Sequence, residues 1–164
     1  MQTISFPTYK KINSGYHFFS SVDLDKFSGE DDLISHMKSV HKDEVSPELF
    51  FECDSDVYSD FVSENSINWT GIEQVRRLLE NYPLESIKAF IAINGVSQIE
   101  RMDSVYEGEY SSQMEFATQY GESINLFDGV NTAVIMYFDW DAYARDIFIN
   151  TFRYHNGHVF RILN

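Results

Sequence analysis

Thirteen acidic side chains lie between Asp23 and Glu64 against three lysines, Lys26, Lys38 and Lys42, and carboxylates at that density have a short list of chemistries. They can hold a cation, share protons as a general acid and base, or present an anionic surface to a partner that binds polyanions. The first two need particular spacings. Asp54-Ser55-Asp56 begins like a calcium loop, but Ser59 stands at its sixth position, where glycine is required, and Asn65 at its twelfth, where a bidentate Glu is required. His36 and His41 are five apart, about 140° around a helix from one another, and no His-Glu-x-x-His run or cysteine pair exists. Both are read as surface histidines. A Gly-rich phosphate loop and a Gly-x-Ser-x-Gly elbow are also absent from the sequence, and Cys53 is read as a small core residue. No catalytic residue, metal ligand or cofactor is assigned, and the chain is read as a non-enzyme.

The third chemistry fits the charge distribution. Residues 1–22 carry +2, 23–64 carry −10, 65–138 carry −6 and 139–164 balance, for a net charge of −14 over 164 residues. Like charges on a compact body repel, so the excess costs stability that solubility or partner binding must offset. Fourteen Phe, ten Tyr and two Trp are spread along the chain, which separates it from disordered acidic tails, where aromatics are scarce. A folded surface this negative suits a partner that normally binds a polyanion. It disfavours direct nucleic-acid binding, which depends on Lys and Arg, and docking on anionic lipid. No apolar run approaches the roughly 20 residues that cross a bilayer. A single cysteine and an N-terminus without a basic start, apolar run and cleavage site point to the cytoplasm.

The elements that position these groups are legible in outline. Ile4 to Leu24 alternates weakly and is broken by Pro7 and Asn13-Ser14-Gly15, which predicts two short strands and a turn. Ser28 or Gly29 then caps a helix with Glu30, Asp31 and Asp32 in its first turn and Leu33, Met37 and Val40 on its apolar face; Asp43 to Pro47 ends it. In Phe50 to Tyr58, Phe51, Cys53 and Val57 fall on one parity and Glu52, Asp54 and Asp56 on the other. A strand there sets the three carboxylates in a row at about 6.7 Å intervals, comparable with successive phosphates of one DNA strand.

Ile72, Val75, Leu78 and Leu79 trace a helix closed by Pro83, and Leu84, Ile87, Phe90 and Ile91 a second, ended by Asn94-Gly95. Ser112 and Glu115 form a capping box for a helix bearing Phe116 and Tyr120, with Gly121 placed to stop it. Asp139 caps a last helix through Ile147, and Asn156-Gly157 turns a terminal hairpin. The expected class is α+β, an elongated chain of small modules. Residues 1–62 form an N-terminal α+β module, 63–105 a central helical module, and 106–164 a C-terminal α+β module with a dimer interface.

Tyr137-Phe138-Asp139-Trp140-Asp141-Ala142-Tyr143-Ala144-Arg145-Asp146-Ile147-Phe148-Ile149-Asn150 resembles the signature of the ArdA antirestriction family. The likeness continues through Gly157-His158-Val159-Phe160-Arg161 and, upstream, Tyr106-Glu107-Gly108-Glu109-Tyr110, Phe116-Ala117-Thr118-Gln119-Tyr120, His41-Lys42-Asp43-Glu44 and Ile67-Asn68-Trp69. The resemblance implies a cytoplasmic, dimeric DNA mimic carried by plasmids or transposons. Such a protein occupies the DNA-binding groove of type I restriction-modification enzymes, at the methyltransferase core, and blocks cleavage; its effect on methylation stays open. Two such chains, with net charge −28, match the charge of about 48 Å of duplex.

On that reading the phosphate-mimicking surface comprises Asp23, Asp25, Glu30, Asp31, Asp32, Asp43, Glu44, Glu48, Glu52, Asp54, Asp56, Asp60 and Glu64, joined by Glu107, Glu109 and Glu115. Tyr137, Phe138, Trp140, Tyr143 and Phe148, in the uncharged end, supply the dimer interface, and Arg145 pairs a neighbouring carboxylate. The alternatives are an acidic adaptor for another basic DNA-binding protein and a carboxylate-based, metal-dependent hydrolase.

Overall fold

Ile4 is fully buried while Thr3 and Ser5 beside it are not, the alternation of a strand with one covered face. In the computed structural model, which describes residues 2–15 and 20–163, Thr3–Ser5 is β1. Pro7 follows, and Thr8 caps a short helix, Tyr9–Asn13 (α1), its Oγ1 accepting the Lys11 N–H at 3.3 Å. A helical turn therefore replaces part of the expected strand pair, because the Thr8 hydroxyl offers the backbone a local partner just past Pro7. Ser21–Asp23 (β2) and, later, Glu52–Asp54 (β3) flank β1 in an antiparallel sheet of order β2-β1-β3.

Between them runs Glu30–Val40 (α2), opening at Gly29 with three acids in its first turn and burying Leu33 and Met37. Phe6, on the parity of Ile4, meets the ring of His36 from α2 edge-on at 6.3 Å. Val62–Ser63 (β4) and Ser66–Ile67 (β5) form a small hairpin before Trp69–Leu79 (α3). α3 buries Ile72, Val75 and Leu78 as its periodicity predicts, while Leu79, expected on the same face, is exposed at the end of the helix. It approaches Phe61 so closely at Gly71 that an added Cβ would overlap the ring.

The described residues form two compact units, Met1–Glu80 and Asn81–Asn164. In the second, Leu84–Asn94 (α4) ends at Gly95, whose φ of +79° belongs to the left-handed region that favours glycine. A 3₁₀ turn, Val96–Arg101, leads through Met102–Val105 (α5) into Tyr106–Glu109 (β6). Then come Gln113–Ser123 (α6), Thr132–Ile135 (α7), Trp140–Asn150 (α8), Phe152–His155 (β7) and His158–Arg161 (β8). The sheet order is β6-β8-β7, all antiparallel. Asn156 (φ +48°) and Gly157 (φ +88°) make the β7–β8 turn with both central residues left-handed, as the Asn-Gly signal requires.

Phe116, Phe148, Phe152 and Val159 form the core of this unit, with the Phe116 and Phe152 rings 4.6 Å apart. Buried phenylalanines in such clusters each stabilise by about 1.5–3 kcal/mol. Gly121 does not stop α6, which runs on to Ser123. Its missing side chain makes room instead for the Trp140 indole, whose nearest atom lies 3.0 Å from where a Cβ would stand. The fold is mixed α+β, with strands and a helix first, helices in the middle and a helix with a hairpin at the end.

Candidate anionic surface

The register of the first sheet decides which acids share a face. Thr3 is paired with Asp23 on one side and Asp54 on the other, and Ser5 with Ser21 and Glu52. Directly paired residues point the same way, so Asp23, Glu52 and Asp54 lie on one face, opposite buried Ile4. Glu52 and Asp54 are separated by about 6.7 Å along β3, and Asp23 from Asp54 by two strand spacings, about 10 Å. The rest of that face is hydroxylic, with Thr3, Ser5 and Ser21.

Asp56 does not extend the row. The strand stops at Asp54 because the Ser55 hydroxyl accepts the N–H groups of Val57 (3.1 Å) and Tyr58 (2.8 Å) and folds the chain into a turn. The expected strand from Phe50 to Tyr58 is thus three residues long, and Asp56 sits exposed on the turn. Another acid arrives from elsewhere: the Phe51 N–H donates to the Glu64 carbonyl at 2.8 Å, which sets the β4–β5 turn beside the start of β3.

Glu30, Asp31 and Asp32 are exposed in the first turn of α2, where the helix dipole favours negative charge. Glu48, Asp60 and Glu109 are also exposed. Among the described residues none of these, nor Glu52, Asp54, Asp56 or Glu64, has an internal ion pair.

The remaining candidates have internal work. Asp23 accepts the Asp25 N–H at 3.2 Å and caps the turn Leu24–Lys26. Asp25 accepts the Tyr58 hydroxyl at 3.1 Å and lies 3.6 Å from Arg76 Nε. Asp43 pairs with Lys11 at 3.1 Å, and that hydrogen bond holds its carboxyl below the usual range. Glu44 is nearly covered, accepting the buried Thr8 hydroxyl at 2.7 Å. Glu107 receives Arg161 Nη2 at 2.8 Å and Nε at 3.0 Å. Glu115 closes its cap on Ser111 rather than on Ser112: it accepts both the N–H and the hydroxyl of Ser111 at 2.7 Å, while Ser112 Oγ accepts the Glu115 N–H. Those bonds, the hydroxyl's first, lower its carboxyl pKa.

His41 is buried, contrary to its reading as a surface histidine. Its Nε2 lies 2.8 Å from the Phe6 carbonyl and its Nδ1 3.0 Å from Lys11 Nζ, so Nδ1 accepts from the ammonium and Nε2–H donates to the carbonyl. His36 is exposed, as expected. Sequence spacing gave no sign of the His41–Lys11 contact, which depends on α1 folding back beside the end of α2. Burial, followed by the charge of Asp54, pushes the Cys53 thiol up to about 11. Among the described residues no group of three or more His, Cys, Asp or Glu is placed to hold a metal ion, and no helix is long and apolar enough to cross a membrane.

The aromatic candidates divide. Phe148 lies in the core of the second unit. Phe138, Trp140 and Tyr143 are half-buried and pack ring against ring, with Phe138 and Trp140 4.9 Å apart. Tyr137 is 89% exposed, beside Met136 at 82% and Val134 at 61%. Met136 and Val134 were not among the expected residues, although they share with Tyr137 the acid-free run 129–138. Arg145 is exposed on α8 and, among the described residues, has no ion pair, so the expected carboxylate partner is not found.

A family model described as antirestriction protein (ArdA) matches residues 8–160. No curated protein and no solved structure gives a significant match.

Proposed function

The chain belongs to the ArdA family of antirestriction proteins, and from that premise we propose that it acts as a DNA mimic, setting carboxylates where a type I restriction-modification enzyme expects the phosphates of duplex DNA. The observation that carries the reading is a set of acids in the first unit that, among the described residues, have no ion pair: Glu52 and Asp54 on one sheet face, beside the turn-capping Asp23, and Glu30, Asp31 and Asp32 on the first turn of α2. Clustered like charges destabilise a fold, and among the described residues no cation pairs with these acids; only the helix dipole offsets the three on α2. A basic groove supplies the compensation from outside.

Enzymes of this class grip the backbone of duplex DNA through Lys and Arg contacts that set position and carry little sequence information. Carboxylates at phosphate-like intervals satisfy those contacts without base edges. Inhibition is then competitive with DNA, steep in salt and indifferent to the enzyme's recognition sequence. The acids that already serve the fold, Asp43, Glu44, Glu107 and Glu115, contribute to the field more than to contacts.

The protein acts as a homodimer joined through the acid-free run around Tyr137. Phe148, a core residue, takes no part, and Met136 and Val134 extend the contact.

The experiment is competition. A purified type I enzyme is loaded with fluorescent duplex containing its site, and the protein is added at rising salt. Displacement that saturates with one enzyme and weakens steeply with salt supports mimicry. Simultaneous occupancy of the enzyme by protein and duplex overturns it. Magnesium separates the hydrolase alternative, since it screens a mimic and is required by a metal enzyme.

A further inference from the structure

We propose that Arg76 is a positioning residue for the anionic surface: this cation, set among carboxylates, fixes the turn that joins the sheet acids to the helix acids, and removing it weakens partner binding although the protein becomes more negative. The proposal rests on the mimicry reading above.

Arg76 projects from α3 to the turn between β2 and α2. Its Nη2 donates to the Leu24 carbonyl at 2.5 Å and its Nη1 to the Phe27 carbonyl at 3.2 Å. The guanidinium carbon lies 4.9 Å from the Trp69 ring centroid and 5.9 Å from that of Tyr58, and Nε is 3.6 Å from Asp25 Oδ1. Cation–π contact with the two rings holds the fork in place, and the fork then fixes two carbonyls three residues apart. A lysine, with a point charge on a flexible stem, reproduces neither the plane nor the two-acceptor bridge.

The bridge has consequences for the acids because of what flanks it. Leu24 directly follows Asp23, the sheet acid, and its N–H donates to the Gln2 carbonyl at 2.8 Å. Phe27 stands two residues before Gly29, where α2 starts without a side-chain capping bond. The tie from Arg76 to the Phe27 carbonyl anchors the chain that enters α2, and so fixes how Glu30, Asp31 and Asp32 are presented relative to Asp23, although it satisfies none of the N–H groups a cap would. Coulomb's law alone predicts the opposite effect, since a cation beside Asp25 reduces attraction to a basic groove.

The opposed signs make the test. Duplex displacement from a type I enzyme is measured against salt for the wild type, Arg76→Met, Arg76→Lys and Lys38→Gln, the last removing an equal charge from an exposed position on α2. Lys38→Gln is expected to bind at least as tightly as the wild type. Both Arg76 variants are expected to bind about tenfold more weakly, with a shallower salt dependence, because carboxylates out of register make fewer charge contacts with the groove. A purely structural role lowers the folded fraction and leaves the salt slope of the folded molecules unchanged, a result that overturns the proposal. Should Arg76→Met not fold, Arg76→Lys carries the test, and binding by it equal to the wild type also overturns the proposal. Glu52→Lys with Asp54→Lys distinguishes the two failures: no effect from that pair sinks mimicry itself, whereas a loss there with none from Arg76 sinks only the positioning role.

Discussion

Asp23 and Asp54 flank Thr3 from opposite sides of β1, both in direct register with it, so two acids 31 positions apart in sequence share one face of one sheet. Replacing Asp23, Glu52 and Asp54 together by Asn, Gln and Asn tests that face. Asn at position 23 still caps the turn that follows, so the change reads charge rather than folding. Exposed pairs are worth up to about 1 kcal/mol each, which makes a tenfold loss of enzyme affinity the expected scale. The melting temperature should hold or rise as repulsion is relieved, and a calorimeter checks that arm.

Gly71→Ala probes the packing that holds α3, and with it Arg76, in place. A methyl at position 71 would overlap the buried Phe61 ring and stand 2.9 Å from Asn68 Nδ2. Overpacking of this kind costs about 1–3 kcal/mol, against about 1 kcal/mol of helix propensity gained, so a net loss is expected. Urea titration followed by tryptophan fluorescence, to which Trp69 and Trp140 both contribute, measures it.

How much of this was legible in the sequence depended on whether the controlling contact was local. The Asn156-Gly157 hairpin, the Asp139 cap of α8 and the amphipathic face of α3 follow from residues within one turn of each other, and all three are found. The three-carboxylate strand was misjudged because alternation continues past Asp54 while the Ser55 hydroxyl captures two backbone N–H groups and ends it. β6 carried no strand signal, since Glu107, Gly108 and Glu109 become a strand only by pairing with β8, some 50 residues away. Buried His41 and bridging Arg76 belong to the same class: their partners come from distant segments, and no spacing rule reaches them.

Glu115 gives a pH signature. Bonds from Ser111 lower its carboxyl pKa in the folded protein, so its stabilisation is complete above the ordinary carboxylate range and is lost as pH falls through the lowered value. Glu115→Ala removes that contribution. Melting temperatures of wild type and variant should differ at pH 6 and converge toward pH 3. A constant gap across that range would show that the cap does not depend on ionisation.

Cys53 should be inert to thiol reagents. With its thiol pushed up to about 11, the thiolate is scarce at pH 8, and alkylation is expected to run more than tenfold slower than for a free cysteine. Urea should restore the ordinary rate, because the burial that raises the pKa is lost on unfolding. Fast labelling of the folded protein would mean that β3 opens readily, which would count against a rigid acidic face.

Tyr137→Glu tests the dimer. Val134, Met136 and Tyr137 are 61%, 82% and 89% exposed, an apolar patch within a run that carries no acid. Patches of this kind mark interaction sites, and a two-fold contact sets the same patch of both chains against itself. A glutamate there leaves the monomer fold untouched, since the side chain faces solvent, but buries a charge in the joined state. Sedimentation at micromolar concentration should find twice the 19.1 kDa chain mass for the wild type and the single chain for the variant. Because each half then offers a shorter anionic track, the variant should also displace duplex from the enzyme less effectively while keeping its melting temperature. A wild type that sediments as one chain, or a variant that stays paired, removes the interface from this run.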